Sequence, residues 1–286
     1  MVAVKTKVTI ITFLLFLSLF RIYTGESVTI YVDDDKPADF SSIQAAIDAV
    51  MPGDIIYVRQ GIYEEHLFIN KTIVLRGENG TIVRCVEENY GIIVSADDVE
   101  IDGIKIELAK EGYYAIKLDD VKNCIIKNCN FSSNYGGIYI YNGQNNIIMR
   151  NIFFNNSYGI TATGVKNSIF KENFFIENNK GVDFGLNTRY NVFFYNNFIR
   201  NGIDAYDEST FNQWYYENVG NYWDRYIGTD EDGDEIGDTP YPIEPLEKGN
   251  FDYYPLMKNY TGIDIFPPDV IDLMAIPQIQ VPGGSV

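Results

Sequence analysis

The densest set of possible ligand atoms in this sequence is Asp230-Glu-Asp232-Gly-Asp234-Glu-Ile236-Gly-Asp238. Aspartates stand at relative positions 1, 3, 5 and 9, with glycines at 4 and 8. A hard cation takes about six to eight oxygens, and a glycine-bearing loop can aim carboxylates and a carbonyl at one point. Calcium is the expected ion, with Asp230, Asp232, Asp234, Asp238 and the Ile236 carbonyl as ligands. The loop is not an EF-hand: its glycines are misplaced and no Glu stands at position 12. An unliganded acidic turn is the alternative. Either way its expected task is to tie down the C-terminal end, not to catalyse.

Two acidic pairs, Asp97-Asp98 and Asp119-Asp120, are 22 residues apart. If they fall on equivalent turns, four carboxylates gather on adjacent rungs. Carboxylates about 5–10 Å apart are what glycoside cleavage uses. The same groups could hold a cation or form a solvated acidic edge. Tyr113, Tyr114, Tyr139 and Tyr141 offer a different chemistry. Aromatic faces pack on the apolar faces of sugars, and neighbouring Asn and Asp take the hydroxyls. The same rings could instead serve as ladders that stiffen the coil.

These side chains need a scaffold, and an internal repeat supplies it. Segments starting at Asn123, Asn145 and Asn167 align over 22 residues each. A small residue recurs at Gly91, Ala115, Gly137, Gly159, Gly181 and Gly202, each followed by Ile or Val. Further columns are Ile101, Ile126, Ile148, Phe170 and Phe193, and Ile106, Phe131, Phe153, Phe175 and Phe198. The runs are short, β-branched or aromatic, and alternate with polar residues, which is the period of strands. One repeat cannot bury its apolar side alone, whereas stacking equivalent strands buries every column. The expected fold is all-β: a single-stranded right-handed parallel β-helix, a solenoid of about 22-residue turns, with a short N-terminal capping helix.

Three asparagine columns fit the same turns: Asn134, Asn156, Asn178, Asn201; Asn151, Asn173, Asn196; and Asn146, Ser168, Asn191. Stacked amides bond along the axis, and Asn tolerates left-handed backbone angles. Cys129 and Cys124 precede the second and third columns and are expected to be small buried thiols. The capping helix is expected within Asp39–Val50, with Ile43, Ala46, Ile47 and Val50 on one face and Ser41 and Gln44 as a capping box.

The whole chain has 286 residues and a formal charge of −18. Such a balance leaves no cationic surplus for a phosphate-binding face, so a nucleic-acid partner is not expected. Three Cys exclude a disulfide scaffold, and one His with five Met supplies few soft ligands. Residues 1–25 read as a signal peptide or N-terminal anchor, with Lys5 and Lys7 before the apolar run Val8–Phe20. The expected location is extracellular or at the cell surface, with membrane contact only through an uncleaved N-terminal segment. The expected organisation is β-helix over 26–223, an acidic-loop closure over 224–258 and a Pro-rich tail or linker over 259–286.

The path YVDDDKPADFSSIQAAIDAVMPGDIIYVRQGIYEEHLFINKTIVLRGENGT resembles the start of exported NosD-like β-helix proteins, also described as carbohydrate-binding and sugar-hydrolysis β-helix domains. The segment GNYWDRYIGTDEDGDEIGDTPYPI with FDYYPLM resembles the closing segment of archaeal members. Pectin methylesterases begin similarly, but the likeness stops at the cap and carries over no catalytic residue. NosD is associated with copper-enzyme maturation. His66 is the one histidine and the methionines are scattered, so no copper site is evident in the sequence. The leading expectation is a non-catalytic surface or secreted scaffold that binds polysaccharide or a cell-surface glycan. The competing readings are a polysaccharide hydrolase or lyase, a metalloenzyme accessory protein, and a purely structural spacer.

Overall fold

The structure is a computed structural model that describes residues 27–261. The expected N-terminal segment 1–25, and the expected tail 259–286 beyond its first three residues, lie outside those residues. The described chain winds about eight turns of roughly 23 residues. Each full turn lays down three short strands, one on each of three parallel sheets, here called faces A, B and C in path order. Face A runs from Thr29–Val32 to Val192–Phe194, face B from Gly61–Tyr63 to Tyr222–Trp223, and face C from Leu67–Ile69 to Ile203–Asp207. Register follows the repeat: Ile101, Ile126, Ile148, Phe170 and Phe193 stack on face A.

The core is the inside of the coil. Phe131, Phe153, Phe175 and Phe198 stack on face B with ring centroids 4.8–4.9 Å apart. Trp223 continues that stack at 4.2 Å and Tyr241 ends it at 4.4 Å. Strand spacing is about 4.8 Å, so in-register rings meet at contact distance without bending the backbone. Trp214 closes the face A stack on Phe193 at 4.1 Å.

The last turn departs from the expected alignment. Val182 pairs with Ala205, and Lys180 with Ile203. The small column therefore runs from Gly181 to Asp204, not to Gly202, because that turn is 23 residues long. Matching by residue type had placed Gly202 and Ile203 two positions early.

At the corners the buried asparagines form three ladders. Asn151 illustrates the unit. Its backbone N–H and Nδ2 both donate to Asn173 Oδ1 at 3.1 Å, and Nδ2 also donates to the Ile126 carbonyl at 2.9 Å. The left-handed backbone falls on the residue before each ladder position, not on the ladder asparagines: Arg150, Glu172 and Tyr195 have φ near 55°. Such angles cost a non-glycine residue about 1–2 kcal/mol, and the fully bonded amide that follows offsets it. Each ladder ends on a buried carboxylate. Asn201 donates to Asp204, Asn212 to Asp207, and Asn221 to Asp252.

Both ends are covered. Helix α1, Ile43–Ala49, buries Ile43, Ala46 and Ile47 against the first turn. Its N-cap is Ser42 rather than Ser41, and Glu65 completes the cap by accepting from the Ile43 and Gln44 N–H groups at 2.9 Å. A carboxylate favours that end of a helix because the free N–H groups there are partially positive. Gln44 is thereby released from the expected capping box. Its Oε1 accepts from the Phe68 N–H at 2.8 Å, blunting the open edge of face C. At the other end an antiparallel pair, Tyr241–Ile243 with Asn250–Asp252, lies over the final turn.

Candidate functional site

Outward-facing residues of face C bring aromatic, hydroxyl and charged groups together. One outward column is Lys117, Tyr139, Thr161, Asp183 and Tyr206, and the next is Tyr114, Gly136, Tyr158, Lys180 and Ile203. Tyr114 reaches across the following strand and donates its hydroxyl to Thr161 Oγ1, two turns on, at 2.9 Å. The ring crosses directly above Gly136, where a Cβ would sit 2.1 Å from a ring carbon. Glycine at 136 is thus a condition for this ring position. Around Tyr114 stand Tyr139 at 5.4 Å, Tyr135 at 5.9 Å and Tyr158 at 6.5 Å between centroids.

Two lysine–carboxylate pairs flank the rings. Lys117 Nζ lies 2.9 Å from Asp119, and Lys180 Nζ 3.3 Å from Asp183. Lys180 also sits over the Tyr206 ring at 4.6 Å. Burial raises the Tyr114 and Tyr135 phenols above their ordinary pKa, so both stay protonated donors near neutral pH. Tyr135, Ser157, Tyr158, Asn179, Lys180 and Ile203 line an open cleft of about 360 Å³ beside the rings. Flat apolar rings next to hydroxyl, amide and charged groups match the two-sided chemistry of a pyranose.

Of the expected tyrosines, Tyr114 and Tyr139 belong to this cluster. Tyr113 stands at the preceding corner against Tyr90, 5.5 Å away, and Tyr141 lies at the strand's end, 41% exposed. Sequence reasoning missed Tyr135, Tyr158 and Lys180. Their signal was present: Tyr158 falls opposite Gly136, and a glycine in that column leaves room for a ring.

The structure does not stack the two acidic pairs. Asp98 lies level with Asn123, not with Asp120; its carboxylate accepts from Asn123 Nδ2 at 3.0 Å, and Asp97 accepts from the Lys122 N–H at 2.7 Å. Asp119 lies level with Ser95 on face C, one position beyond the Leu118–Val94 pair. The physical reason is turn length. The turn joining Asp97 to Lys122 spans 25 residues, so a separation of 22 cannot bring equal positions together. Lys117 is fixed beside Asp119, a neighbour the repeat had not indicated.

In the acidic loop, ligand oxygens of Asp230, Asp232 and Asp234 lie within 4.8 Å of one another. Asp230 accepts from the Gly233, Asp234 and Glu235 N–H groups, and Asp238 from the Glu231 N–H at 2.8 Å. The loop is pinned to the segment after Asn250–Asp252, where Ile236 bridges Leu256 and Gly237 N–H donates to the Pro255 carbonyl. A second acidic triple, Asp33, Asp34 and Asp35, lies near the other end and was not singled out in the sequence. Cys85, Cys124 and Cys129 are free and buried; burial pushes Cys124 up to about 11 and Cys129 up to about 12. His66 is exposed at the corner before Leu67–Ile69.

A coil of three parallel sheets with an aromatic outer face defines a β-helix repeat protein. The chain belongs to the right-handed β-helix family, whose pattern, described as a right handed beta helix region, matches residues 70–222. Over 107 residues it is 32% identical to a cell surface glycoprotein of Methanothermus fervidus, an alignment covering 36% of this chain and 18% of that protein. A pectate lyase, Pel9A, superposes with a TM-score of 0.54 at 19% identity, over 70% of this chain and 60% of the lyase. An iota-carrageenase complexed to iota-carrageenan fragments superposes with a TM-score of 0.48 at 18% identity, over 62% of this chain and 50% of the other. The pectate lyase superposition shows a shared fold.

Proposed function

We propose that this protein is a non-catalytic β-helix module displayed outside the cell, which binds polysaccharide through the outer surface of face C. The observation that carries this reading is the tyrosine cluster around Tyr114, laid over Gly136 and bordered by the Lys117–Asp119 and Lys180–Asp183 pairs. The similarity to a cell surface glycoprotein supports the location. The outward carboxylates Asp119 and Asp183 are held in ion pairs, which suits hydroxyl recognition better than proton transfer. Hydrolysis or elimination by carboxylates remains the competing reading. The test is a panel of acidic and neutral polysaccharides scored for both binding and cleavage. Binding without release of reducing ends or unsaturated products is expected. Cleavage that disappears on Asp119→Asn would overturn the non-catalytic reading.

A calcium ion in the Asp230–Asp238 loop belongs to the same proposal. The donor set is all oxygen, the choice of a hard cation, and the loop is bonded to Pro255 and Leu256, just after the last described strand. Its role there is to hold the C-terminal closure in place.

A further inference from the structure

Asn-x-Ser/Thr triplets accept N-linked glycans, and this chain has them at Asn70, Asn79, Asn130, Asn155 and Asn259. The motif demands an asparagine amide and a hydroxyl two residues on, so a transferring enzyme must reach both groups. The fold sorts the triplets by that requirement.

Asn130 does not offer its amide. It lies within the face B strand Asn130–Ser132, paired with Lys105 on one side and Ile152 on the other. Its Oδ1 is buried, and Ser132 is itself buried. Asn79 does not offer its hydroxyl. The asparagine is exposed in the turn before Thr81–Arg84. Thr81, however, is buried, and its hydroxyl lies 3.0 and 3.1 Å from the Val58 and Arg59 carbonyls. Asn70 has the same difficulty, because Thr72 donates its hydroxyl to the Asp97 carbonyl at 2.9 Å. Asn259 is half-buried and precedes Tyr260, whose backbone is bonded to Asn197.

Asn155 meets both conditions. It is exposed at the corner between faces B and C, directly after the strand Ile152–Phe154. Its φ is 53°, a left-handed angle that asparagine tolerates. Its backbone N–H donates to the Ile176 carbonyl at 3.0 Å, while its side-chain amide makes no hydrogen bond among the described residues. The Ser157 hydroxyl makes none either, and Ser157 lines the open cleft beside the tyrosines. Between them Asn156 is buried in its ladder, with Nδ2 donating to Asn178 and to the Phe131 carbonyl. The ladder thus fixes the triplet with its middle residue inside and its two reactive residues outside. The equivalent positions one turn either side are Ser133 and Glu177, both exposed and polar, so no apolar contact covers the amide.

We infer that Asn155 carries an N-linked glycan added to the folded chain, an inference that rests on the protein's display outside the cell. The donor class is a glycan held on a lipid phosphate. The bond from the anomeric carbon to the phosphate oxygen breaks, and a bond from that carbon to Asn155 Nδ2 forms. The amide proton passes to the departing lipid phosphate, and nothing is oxidised or reduced. The glycan leaves the corner beside the cleft, whereas the outward columns of Tyr114 and Tyr139 contain no triplet and stay open.

The test recovers the full chain from the cells that make it, separates envelope and medium from cytoplasm, and maps the peptides by mass spectrometry. Added glycan mass is expected on the Asn155 peptide and not on those of Asn70, Asn79 and Asn130. A chain found outside the cell with Asn155 unmodified, or with glycan on Asn79 or Asn130, would overturn the inference and leave the location standing. A chain found in the cytoplasm alone would overturn both. A second measurement offers unglycosylated, folded full chain to envelope membranes from the same cells, which supply the enzyme and the lipid-linked donor. Labelling is expected at Asn155 and is expected to be lost in Asn155→Gln and in Ser157→Ala. Denatured chain is expected to accept glycan at Asn79 as well. Equal labelling of Asn79 and Asn155 in the folded chain, or labelling of Asn155 in the denatured chain alone, would overturn the inference.

Discussion

At the scale of single residues the stacked asparagines do the most. Asn173 accepts two bonds from Asn151, and its Nδ2 donates to the Ile148 carbonyl at 2.8 Å and to Asn196 at 2.9 Å. Asn173→Ala removes all of these inside a dry corner. Each buried group left unpaired costs about 1–3 kcal/mol, so a loss of roughly 3 kcal/mol is expected in denaturant unfolding. Asn173→Ser is expected to cost less, because Ser168 already fills such a position and accepts from the Asn146 N–H at 3.1 Å. The carboxylates that end the ladders make stability depend on pH. Burial pushes Asp207 up to about 6 and Asp252 up to about 7, against an unfolded value of about 3.9. Between about pH 4 and 7 the folded protein holds protons that the unfolded chain has released. Their contribution is complete below the unfolded pKa and is lost as pH rises through the folded values. The melting temperature is therefore expected to be higher at pH 5 than at pH 8, and Asp252→Asn is expected to narrow that difference. The ladders were legible in the sequence because asparagine recurs with the turn. The terminal aspartates were not, since each occurs once and its burial depends on the closing segment.

At the scale of elements, face C and the acidic loop carry separate expectations. Tyr139 stands 5.4 Å from Tyr114 on the outer surface and supports no core contact, so Tyr139→Ala is expected to weaken polysaccharide binding with little change in melting temperature. Gly136→Ala is the structural counterpart. The added methyl displaces the Tyr114 ring from Thr161, and affinity is expected to fall although no sugar-facing group is removed. Isothermal titration of both variants checks this. For the loop, calcium is expected to raise the melting temperature and a chelator to lower it, with Asp232→Asn abolishing the difference. An equal melting temperature in calcium and chelator would remove the ion from the proposal. The strands of these elements were readable from alternation, and the loop from its acid–glycine spacing. The relative placement of the acidic pairs was not, because it depends on turns of unequal length. A different signal went unused: the unbroken run Phe174-Phe175-Ile176 marks a strand buried on both sides.

At the scale of the whole molecule each strand pairs only with the strands of adjacent turns, contacts such as Tyr114 with Thr161 reaching one turn further, so stability is close to a sum of turns and their interfaces. That makes register a testable property of the entire coil. Asn145–Lys166 is one complete turn, since its ladder residues Asn146 and Asn151 lie 22 positions before Ser168 and Asn173. Removing this segment joins Gln144 to Asn167 and leaves every column in step. Phe131 then meets Phe175, Cys129 donates to Asn173, and Asn134 donates to Asn178. The shortened chain is expected to keep a β-rich spectrum and one cooperative unfolding transition, at a modestly lower melting temperature. Face C would lose Tyr158 and Thr161, so Tyr114 would be left without its present partner and polysaccharide affinity should fall. Deleting Phe175 alone, inside the strand Phe174–Ile176, is expected to behave very differently. A single-residue offset within a strand turns side chains to the opposite face, bringing Ile176 into the place of Phe175 and putting Asn178 out of step with Asn156, whereas an extra residue at a corner is absorbed as it is in the 23-residue turn. Circular dichroism and thermal unfolding of the two deletions would separate the cases. Equal stability in both would mean that local strand propensity, not axial register, holds this coil together.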